Sequence, residues 1–195
     1  IPTTLEDFQL QSRFRPKENS SLYYAIDTSN QRKCVIKVCF ADNQNPNQRS
    51  QILFQDHISH LADLHSHLIK IYKILDVKDD DMHFYALAMP EAQCDLFDYC
   101  YKNQLHNNIS GNLDVIKRIM KQCLLPVAFL HSQGIGHFDI KPDNFLIMNE
   151  SVNFPMLKLA DFDLSQPCPI DQYLPGARGT LPYQSPEMLN DKRCK

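Results

Sequence analysis

Glycine is scarce in this chain, with 5 among 195 residues, and tryptophan is absent. The seven cysteines include no C-x-x-C pair and no histidine at the spacing of a zinc partner, so zinc modules are excluded and reduced thiols are expected. No apolar run approaches the roughly 18 residues of a membrane helix, and the first residues, IPTTLEDF, lack the basic and apolar regions of a secretory signal. These absences predict an intracellular protein, in the cytoplasm, with no membrane partner.

Charge of one sign is not in excess either. Lys and Arg number 20 against 23 for Asp and Glu, which gives a formal net charge of -3 at pH 7. Nucleic acids and anionic lipid surfaces attract clusters of Lys and Arg, so no nucleic-acid partner is expected. Hydrophobic residues make up 43% of the chain, which is enough for the core of a globular domain. The oligomeric state stays open on composition alone.

The first part of the chain is predicted to contain a β-hairpin. Residues 21–26 and 34–40 are rich in β-branched and aromatic side chains, which are typical of strands. Asp27, Ser29 and Asn30 lie between the two runs and favour a turn.

One helix and a second pair of strands are expected next. Apolar residues recur at roughly helical spacing over 49–64, after a polar loop at 41–47. Alternating apolar residues at 68–75 and 83–89 then predict two strands, and the acidic stretch at 78–81, KDDD, predicts the turn between them. The result would be a small antiparallel sheet with one helix.

Residues 112–132 are predicted to form a long amphipathic helix. Apolar side chains recur there at intervals of three and four, and Gly134 beyond them is a helix stop signal. Pro126 lacks the backbone N–H that an interior helical residue donates, so a kink is expected at that point.

Two acidic motifs follow this helix. Residues 137–144 read HFDIKPDN, and an apolar strand at 156–160 ends in the triplet DFD at 161–163. These stretches resemble the catalytic loop, H-R-D-x-K-P-x-N, and the metal-binding turn, D-F-G, of protein kinases. Phosphoryl transfer needs little covalent chemistry, so such an enzyme places two oxygen atoms in line and neutralises charge with cations.

The resemblance implies a role for each of these residues. Asp139 would orient the acceptor hydroxyl and take its proton, and Lys141 would lie beside the γ-phosphate. Asn144 and Asp161 would bind Mg²⁺ through hard oxygen atoms. His137 is expected to be a buried structural residue and not a base.

Two further stretches carry the same resemblance. Residues 179–187, GTLPYQSPE, are similar to the G-T-x-x-Y-x-x-P-E that ends the family's activation segment. In the family this threonine, here Thr180, braces the catalytic aspartate, and together with the Lys-Pro at 141–142 it marks the branch that phosphorylates Ser and Thr. Residues 35–37, VIK, resemble the strand motif V-A-I-K, whose lysine, here Lys37, grips the α- and β-phosphates of ATP.

By this resemblance the fold is α+β and two-lobed, like that of protein kinases. Residues 1–88 would form a small N-lobe with an antiparallel sheet and one main helix, 89–92 the hinge, and 93–195 an incomplete, mainly helical C-lobe that ends after the activation segment. The chain is thus expected to be a fragment of a longer protein. Because the family's central C-lobe helix follows the P-E motif, three apolar residues of the long helix are expected to be exposed: Leu124, Val127 and Leu130.

The cofactors that the resemblance implies are ATP and Mg²⁺. The residues expected to contact them are Lys37, Asp56, Val35, Met89, Glu91, Ala92, Leu146 and Asp161. Asp56 would supply the acid that pairs with Lys37, and Gln55 is the alternative if the helix register slips by one. Met89 would be the gatekeeper beside the adenine site, with Ala88 as its alternative.

The chain departs from the family pattern at three points. Residues 9–20 hold no glycine where the family's glycine-rich loop covers the phosphates, so the close backbone approach must be replaced or lost. Phe138 replaces the arginine that binds a phosphorylated activation loop, so phosphorylation of Ser165 or Tyr173 is not expected to switch the enzyme on. Asp163 replaces the last glycine of D-F-G.

The leading hypothesis is a kinase that transfers the γ-phosphate of Mg-ATP to Ser or Thr hydroxyls of protein substrates. The alternative is a pseudokinase, an interaction module that keeps the fold, and the missing glycines together with Asp163 favour it. A small-molecule kinase is disfavoured because 141–142 and 179–187 resemble elements that serve protein substrates.

Overall fold

A computed structural model gives the fold of the chain. It describes residues 1–16, 20–41, 45–78, 82–149, 155–169, 174–175, 178–191 and 193–194. Most of the predicted turn at 78–81, part of the predicted loop at 41–47, and Tyr173 lie outside the described residues. The chain divides into two compact units: Ile1–Asp63 with Ile69–Glu91, and Leu64–Leu68 with Ala92–Lys195.

The first unit is built on a six-stranded antiparallel sheet. Its strands are β1 (Thr4–Leu5), β2 (Phe8–Phe14), β3 (Ser20–Asp27), β4 (Arg32–Phe40), β5 (Lys73–Lys78) and β6 (His83–Pro90). They lie in the order β1-β2-β3-β4-β6-β5, and all neighbouring pairs are antiparallel. The predicted small antiparallel sheet is confirmed, and β1 and β2 are added to it.

The predicted hairpin joins β3 to β4. The Asp27 carboxylate accepts hydrogen bonds from the backbone N–H of Ser29 (3.0 Å) and from the side-chain amide of Asn30 (2.8 Å). An aspartate that bonds the backbone two residues further on stabilises a turn. The turn residues read from the sequence are therefore those that close the hairpin.

Strand β5 begins at Lys73, later than the 68–75 predicted from the sequence. Leu68 and Ile71 are buried, at 0% and 6% exposure, which gives the segment a strand-like apolar pattern. Their backbones bond elsewhere, because the Ile71 N–H donates to the Ser59 hydroxyl (2.6 Å) and Leu68 forms an isolated parallel bridge with Leu159. Burial therefore produced the apolar pattern at 68–71, whereas the Tyr72 N–H already donates to the Ala88 carbonyl of β6 (2.9 Å).

The helix α1 (Gln48–Leu61) covers one face of the sheet. Successive side chains of a strand point to opposite faces, so Ile36 and Val38 of β4 face away from Val35, Lys37 and Cys39. The cluster on the first face is Leu5, Phe8, Ala25, Cys34, Ile36, Val38, Leu75, Phe84, Ala86 and Ala88. The cluster on the second face is Cys39, Ile52, Ile71, Tyr85 and Leu87, in which Ile52 comes from α1.

The described residues of the second unit form three α-helices and short strands. Along the chain these are β7 (Cys94–Asp95), α2 (Leu96–Lys102), α3 (Leu113–Ser132), β8 (Ile135–Gly136), β9 (Phe145–Asn149), β10 (Met156–Leu159), β11 (Gln166–Pro167), β12 (Leu174–Pro175), α4 (Pro186–Asp191) and β13 (Arg193–Cys194). Within the described residues the strands pair as β10-β9-β7, β11-β8 and β12-β13. The short β8 and β9 flank the predicted catalytic loop.

The long helix α3 forms as predicted, and it continues through Pro126. Gln122 ties it to the chain around β10, because its amide donates to the Pro155 carbonyl (2.8 Å) and accepts from the Leu157 N–H (3.1 Å). Leu124 is 61% exposed, as expected, but Leu130 is fully buried at 0%, so the expected exposure of Leu130 is wrong. Leu130 and Leu124 are six residues apart, which places them on different sides of a helix with 3.6 residues per turn.

Six cysteines whose side chains the structure describes are thiols outside any disulfide: Cys34, Cys39, Cys94, Cys100, Cys123 and Cys168. Burial raises the pKa of Cys123 to about 12 and also raises the pKa of Cys34 and Cys100. Thiols with raised pKa are poor nucleophiles at neutral pH, so these three are structural. In the part of the chain that the structure describes, no helix is both long and apolar enough to cross a bilayer.

Candidate active site

The loop from 137 to 144 leaves β8 and ends in a 3₁₀ turn, Pro142–Asn144, just before β9. Phe138 has a left-handed backbone, with φ of 63°, and Asp161 after β10 has the same φ. Such a conformation is uncommon for residues other than glycine and costs about 1–3 kcal/mol. Both residues lie at the predicted site, where strain of this kind is often held, and Glu6, Arg15, Gln31 and Gln104 also have positive φ elsewhere in the described residues.

His137 is a buried neutral side chain at the start of this loop. It is 2% exposed, and burial lowers its pKa below the ordinary value. Its Nδ1 accepts the backbone N–H of Asp139 (3.2 Å), so Nε2 carries the proton and donates to the Ala160 carbonyl (3.0 Å). Its ring also meets the edge of Phe162 at 5.4 Å between centroids. His137 is the structural residue that was predicted.

The carboxylate of Asp139 lies at the centre of the site. One oxygen, Oδ1, accepts the Thr180 backbone N–H (2.9 Å) and the Thr180 hydroxyl (2.7 Å). The other oxygen, Oδ2, accepts the Asn144 amide (3.0 Å) and lies 2.8 Å from the Lys141 ammonium. Burial alone would raise the pKa of Asp139, but the hydrogen bonds from Lys141, Thr180 and Asn144 outweigh it and lower the pKa. Asp139 is therefore ionised at neutral pH.

Lys141 and Thr180 complete a chain of hydrogen bonds with a defined direction. The Lys141 ammonium donates to the Thr180 hydroxyl oxygen (2.7 Å), and an ammonium has no acceptor. The Thr180 hydroxyl must then donate its own hydrogen to Asp139. The side chains of Lys141 and Asp139 are 17% and 10% exposed, so these polar groups interact largely away from bulk water.

Gly179 allows Thr180 to reach the aspartate. It has a left-handed φ of 81°, and a Cβ at this position would collide with the Phe138 carbonyl oxygen. On its other side the Gly179 carbonyl accepts the side-chain amide of Gln184 (3.1 Å). Only glycine satisfies both the backbone angle and the close approach.

Asn144 and Asp161 are the residues that could bind a divalent cation. The Asn144 amide nitrogen donates to the Asp139 carbonyl (2.7 Å) as well as to its carboxylate, which leaves the amide oxygen as the possible ligand. The Ala160 N–H donates to the Asn144 carbonyl (2.9 Å), which ties the residue before Asp161 to the loop. No cluster of three His, Cys, Asp or Glu side chains suited to a metal occurs in the described ranges. A pair of oxygen ligands fits Mg²⁺, which binds through one or two protein groups plus water and phosphate.

Asp163 stands where the family has a glycine, in the 3₁₀ turn Phe162–Leu164. Its φ is not positive, in contrast to that of Asp161. The side chain at 163 is therefore accommodated without left-handed strain.

In the first unit, three predicted nucleotide residues share one face of the sheet. Val35 pairs with Met89, and Lys37 pairs with Leu87. Residues opposite each other across an antiparallel pair point to the same face, so Met89 lies on the face of Val35 and Lys37. Ala88, the alternative gatekeeper, is 1% exposed in the cluster on the opposite face. The geometry favours Met89.

On α1 the geometry favours Gln55 over the predicted Asp56. Gln55 is 5% exposed and lies on the buried side of the helix with Ile52 and Ser59. The side chain of Asp56 is 38% exposed and lies 3.8 Å from His60 Nδ1. The buried stripe of α1 runs through positions three and four apart that include 55 and not 56, so Gln55, the alternative register, lies on the side that packs against the sheet.

The remaining predicted nucleotide residues lie at the unit boundary and on β9. Glu91 ends the first unit and Ala92 begins the continuous part of the second, and both are half-buried. Leu146 lies on β9 opposite Asp95 of β7, which caps α2 by accepting the Asp98 N–H (2.9 Å). Glu91 and Ala92 belong to the segment 89–92 that was predicted as the hinge.

Two residues of the site were not found from the sequence. The Phe138 ring packs against Gly136, where a Cβ would overlap the ring, and the Arg178 guanidinium lies 5.7 Å from the centre of the same ring. Gly136 could have been noticed, because a glycine directly before the catalytic motif suggests close packing. Arg178 carries no local signal, since its contact spans 40 residues of sequence between positions 138 and 178.

Known proteins with similar sequences are protein kinases. The sequence model of the protein kinase domain family matches residues 18–195. The serine/threonine-protein kinase cds1 of Schizosaccharomyces pombe is 32% identical over 178 residues, which cover 89% of this chain and 34% of that protein.

Shorter matches involve other protein kinases. The SNF1-like protein kinase ssp2 of S. pombe is 29% identical over 128 residues, 66% of this chain and 20% of that protein. The serine/threonine-protein kinase dkf-1 of Caenorhabditis elegans is 37% identical over 81 residues, 42% of this chain and 11% of that protein. The chain thus spans about a third or less of the length of these relatives.

Proposed function

This chain belongs to the protein kinase domain family, and on that premise we propose that it transfers the γ-phosphate of Mg-ATP to Ser or Thr hydroxyls of protein substrates. The observation that carries the proposal is the ionised Asp139 carboxylate, held at 10% exposure by Thr180, Asn144 and Lys141. A fixed carboxylate beside a lysine is the arrangement that orients a hydroxyl for in-line attack on a phosphoryl group.

Asp139 accepts the proton of the acceptor hydroxyl as the new O–P bond forms and the bond to the leaving diphosphate breaks. Its lowered pKa makes it a weak base, so its main contribution is to orient the hydroxyl, and proton transfer is late. Each carboxylate oxygen has about two acceptor sites, and all four are already used. One donor must therefore move before a substrate hydroxyl can bind.

Lys141 is the donor that we assign to this movement. Thr180 is held through its backbone N–H, and the Asn144 amide is bonded twice to Asp139. Lys141 instead ends a flexible stem, and an anionic phosphate gives its ammonium an alternative partner. Its shift from Asp139 to the γ-phosphate would free one carboxylate oxygen at the moment when charge on the phosphate needs to be neutralised.

The proposed cofactor is Mg-ATP. Bound Mg²⁺ would bridge the phosphates and neutralise charge that develops during transfer. Asn144 would offer its amide oxygen and Asp161 its carboxylate as ligands. In the first unit we assign the α- and β-phosphates to Lys37. The proposed contacts with the nucleotide base and its surroundings are Val35, Met89, Glu91, Ala92 and Leu146.

A pseudokinase is the second candidate, and two observations favour it. The buried face of α1 carries Gln55, a neutral amide, where the family uses an acid to pair with the strand lysine. The glycine-free strand β2 also makes side-chain contacts close to its end. Arg13 donates to the Ser21 hydroxyl (2.7 Å), and the Phe14 ring stacks on the Tyr24 ring with 4.1 Å between centroids. Side chains therefore pack at the position where the family has glycines.

Transfer of labelled phosphate distinguishes the two candidates. The full-length protein is incubated with Mg-[γ-³²P]ATP and peptide libraries that contain Ser, Thr or Tyr as the acceptor. A kinase of the proposed class labels Ser and Thr peptides and not Tyr peptides, while calorimetry detects ATP binding that requires Mg²⁺. ATP binding without label transfer would favour the pseudokinase.

A further inference from the structure

Phe138 is half-buried and packs against its own loop and against the segment that begins at Arg178. On one side it meets Gly136, where no Cβ could be accommodated. The backbone carbonyl oxygen of Phe138 faces Gly179, where a Cβ would collide with it. Phe138, in its left-handed conformation with φ of 63°, is thus packed closely against two glycines from different segments.

Arg178 contacts the same ring from the second segment. Its guanidinium carbon lies 5.7 Å from the ring centroid, within the range of a cation–π interaction. The backbone N–H of Arg178 donates to the sulfur of Met188 (3.1 Å), and Met188 is 7% exposed. The arginine is therefore anchored on one side to the buried Met188 of α4 and on the other to Phe138.

Two neighbouring pairs of residues connect the catalytic loop to this segment. Phe138 contacts Arg178, and the next residue, Asp139, accepts both hydrogen bonds of Thr180. Gly179 lies between the two pairs and is packed on the backbone of Phe138. A shift of the Arg178 backbone away from the catalytic loop would therefore also shift Thr180, two residues further on, which donates both hydrogen bonds to Asp139.

We propose that Phe138 and Arg178 are positioning residues, whose stacking holds residues 178–180 on the catalytic loop and so keeps Asp139 oriented. The link uses a ring and a guanidinium that are both present in the unmodified chain. It needs no phosphate group to join the two segments. The kinetic part of this inference rests on the proposed kinase activity, whereas the structural part does not.

Kinetics of the full-length protein test the positioning role. Phe138→Leu removes the ring and Arg178→Met removes the charge, and each should lower kcat about 5- to 30-fold with the KM for ATP unchanged. Phe138→Tyr and Arg178→Lys keep a ring and a cation, and should stay within about threefold of wild type. The double variant Phe138→Leu/Arg178→Met should be no slower than the slower single variant, because both substitutions break the same contact between the ring and the guanidinium. Additive losses, or a Tyr variant as slow as the Leu variant, would overturn the proposal.

Amide hydrogen exchange tests the same contact without any need for activity. The Thr180 N–H, which donates to Asp139, should exchange about 5- to 30-fold faster in Phe138→Leu and in Arg178→Met, and not in Phe138→Tyr or Arg178→Lys. If Phe138→Leu does not fold, Arg178→Met alone carries both readouts. If the wild type shows no phosphotransfer but exchange at Thr180 still rises in the two disruptive variants, the proposed function is refuted and the contact is supported. Unchanged exchange in Arg178→Met refutes the contact.

Discussion

Thr180 donates two hydrogen bonds to a single oxygen of Asp139, one from its backbone N–H at 2.9 Å and one from its hydroxyl at 2.7 Å. The same hydroxyl accepts a hydrogen bond from Lys141. The orientation and the acidity of Asp139 therefore depend on a side chain 41 positions further along the chain.

Thr180→Val keeps the backbone hydrogen bond and removes the hydroxyl. We expect kcat to fall by about tenfold or more, because a hydrogen bond to a charged group is worth about 1.5–3 kcal/mol. The hydroxyl helps to lower the pKa of Asp139, so its loss raises that pKa. Activity requires the ionised form and is lost as the pH falls through this pKa, so the acid limb of the kcat/KM profile should move to higher pH. Thr180→Ser is the control, and an acid limb that does not move in Thr180→Val would contradict the assignment.

Gln55→Glu places an acid on the buried face of α1, on the side of the sheet that carries Lys37. We expect kcat/KM for ATP to rise about fivefold or more, since a charged partner would hold the lysine more firmly. Asp56→Asn is the matched change at the neighbouring position, where the side chain is 38% exposed, and should have little effect. Steady-state kinetics with varied ATP measure both. Loss of activity in Asp56→Asn, with none gained in Gln55→Glu, would return the acidic role to Asp56.

Phosphorylation at Ser165 should not activate the enzyme. Ser165 is 9% exposed, and its hydroxyl donates to the His137 carbonyl at 3.4 Å, so a phosphate there would disturb the catalytic loop. Phosphatase treatment should leave the rate unchanged, Ser165→Ala should be tolerated, and Ser165→Asp should lower activity. Tyr173, the other hydroxyl named from the sequence, lies outside the described residues, and Tyr173→Phe completes the set. A large loss of activity on dephosphorylation, restored by rephosphorylation of either residue, would refute this prediction.

The two sides of α3 should differ sharply in their contribution to stability. Leu130 is 0% exposed and Leu124 is 61% exposed. Leu130→Ala should lower the free energy of unfolding of the 195-residue chain by about 2–5 kcal/mol, and Leu124→Ala by less than about 1 kcal/mol. Urea unfolding followed by circular dichroism measures both changes. Equal losses would mean that Leu124 is buried in solution.

Much of the fold could be predicted from local sequence. The turn residues Asp27 and Asn30, and the apolar period of α3, each act within a few residues, so the hairpin and the long helix were found. β2 was not predicted, although Phe8, Leu10 and Phe14 alternate as strand residues do, because its other residues are polar. The late start of β5 could not be found, since the bond from Ile71 to Ser59 joins positions 12 apart.

In the candidate site too, residues of one local motif could be predicted, and residues that depend on distant contacts could not. Asp139, Lys141 and Asn144 were found together because one short loop carries them all, and the structure brings their side chains into hydrogen-bonding distance. The acid of α1 was placed at 56, and the buried position is 55, because a helix register depends on how the helix packs. Arg178 had no local pattern at all, since it is recognised only by the ring that it contacts.

The most direct measurement of the central claim compares two matched substitutions in the catalytic loop. Asp139→Asn removes the carboxylate that four hydrogen-bond contacts orient, whereas Asp143→Asn makes the same change at an exposed position of the same loop. With the full-length protein and a Ser/Thr peptide, Asp139→Asn should lower kcat by roughly 10²- to 10⁴-fold with the KM for ATP little changed. Asp143→Asn should stay close to wild type. Equal rates in Asp139→Asn and wild type would contradict the account.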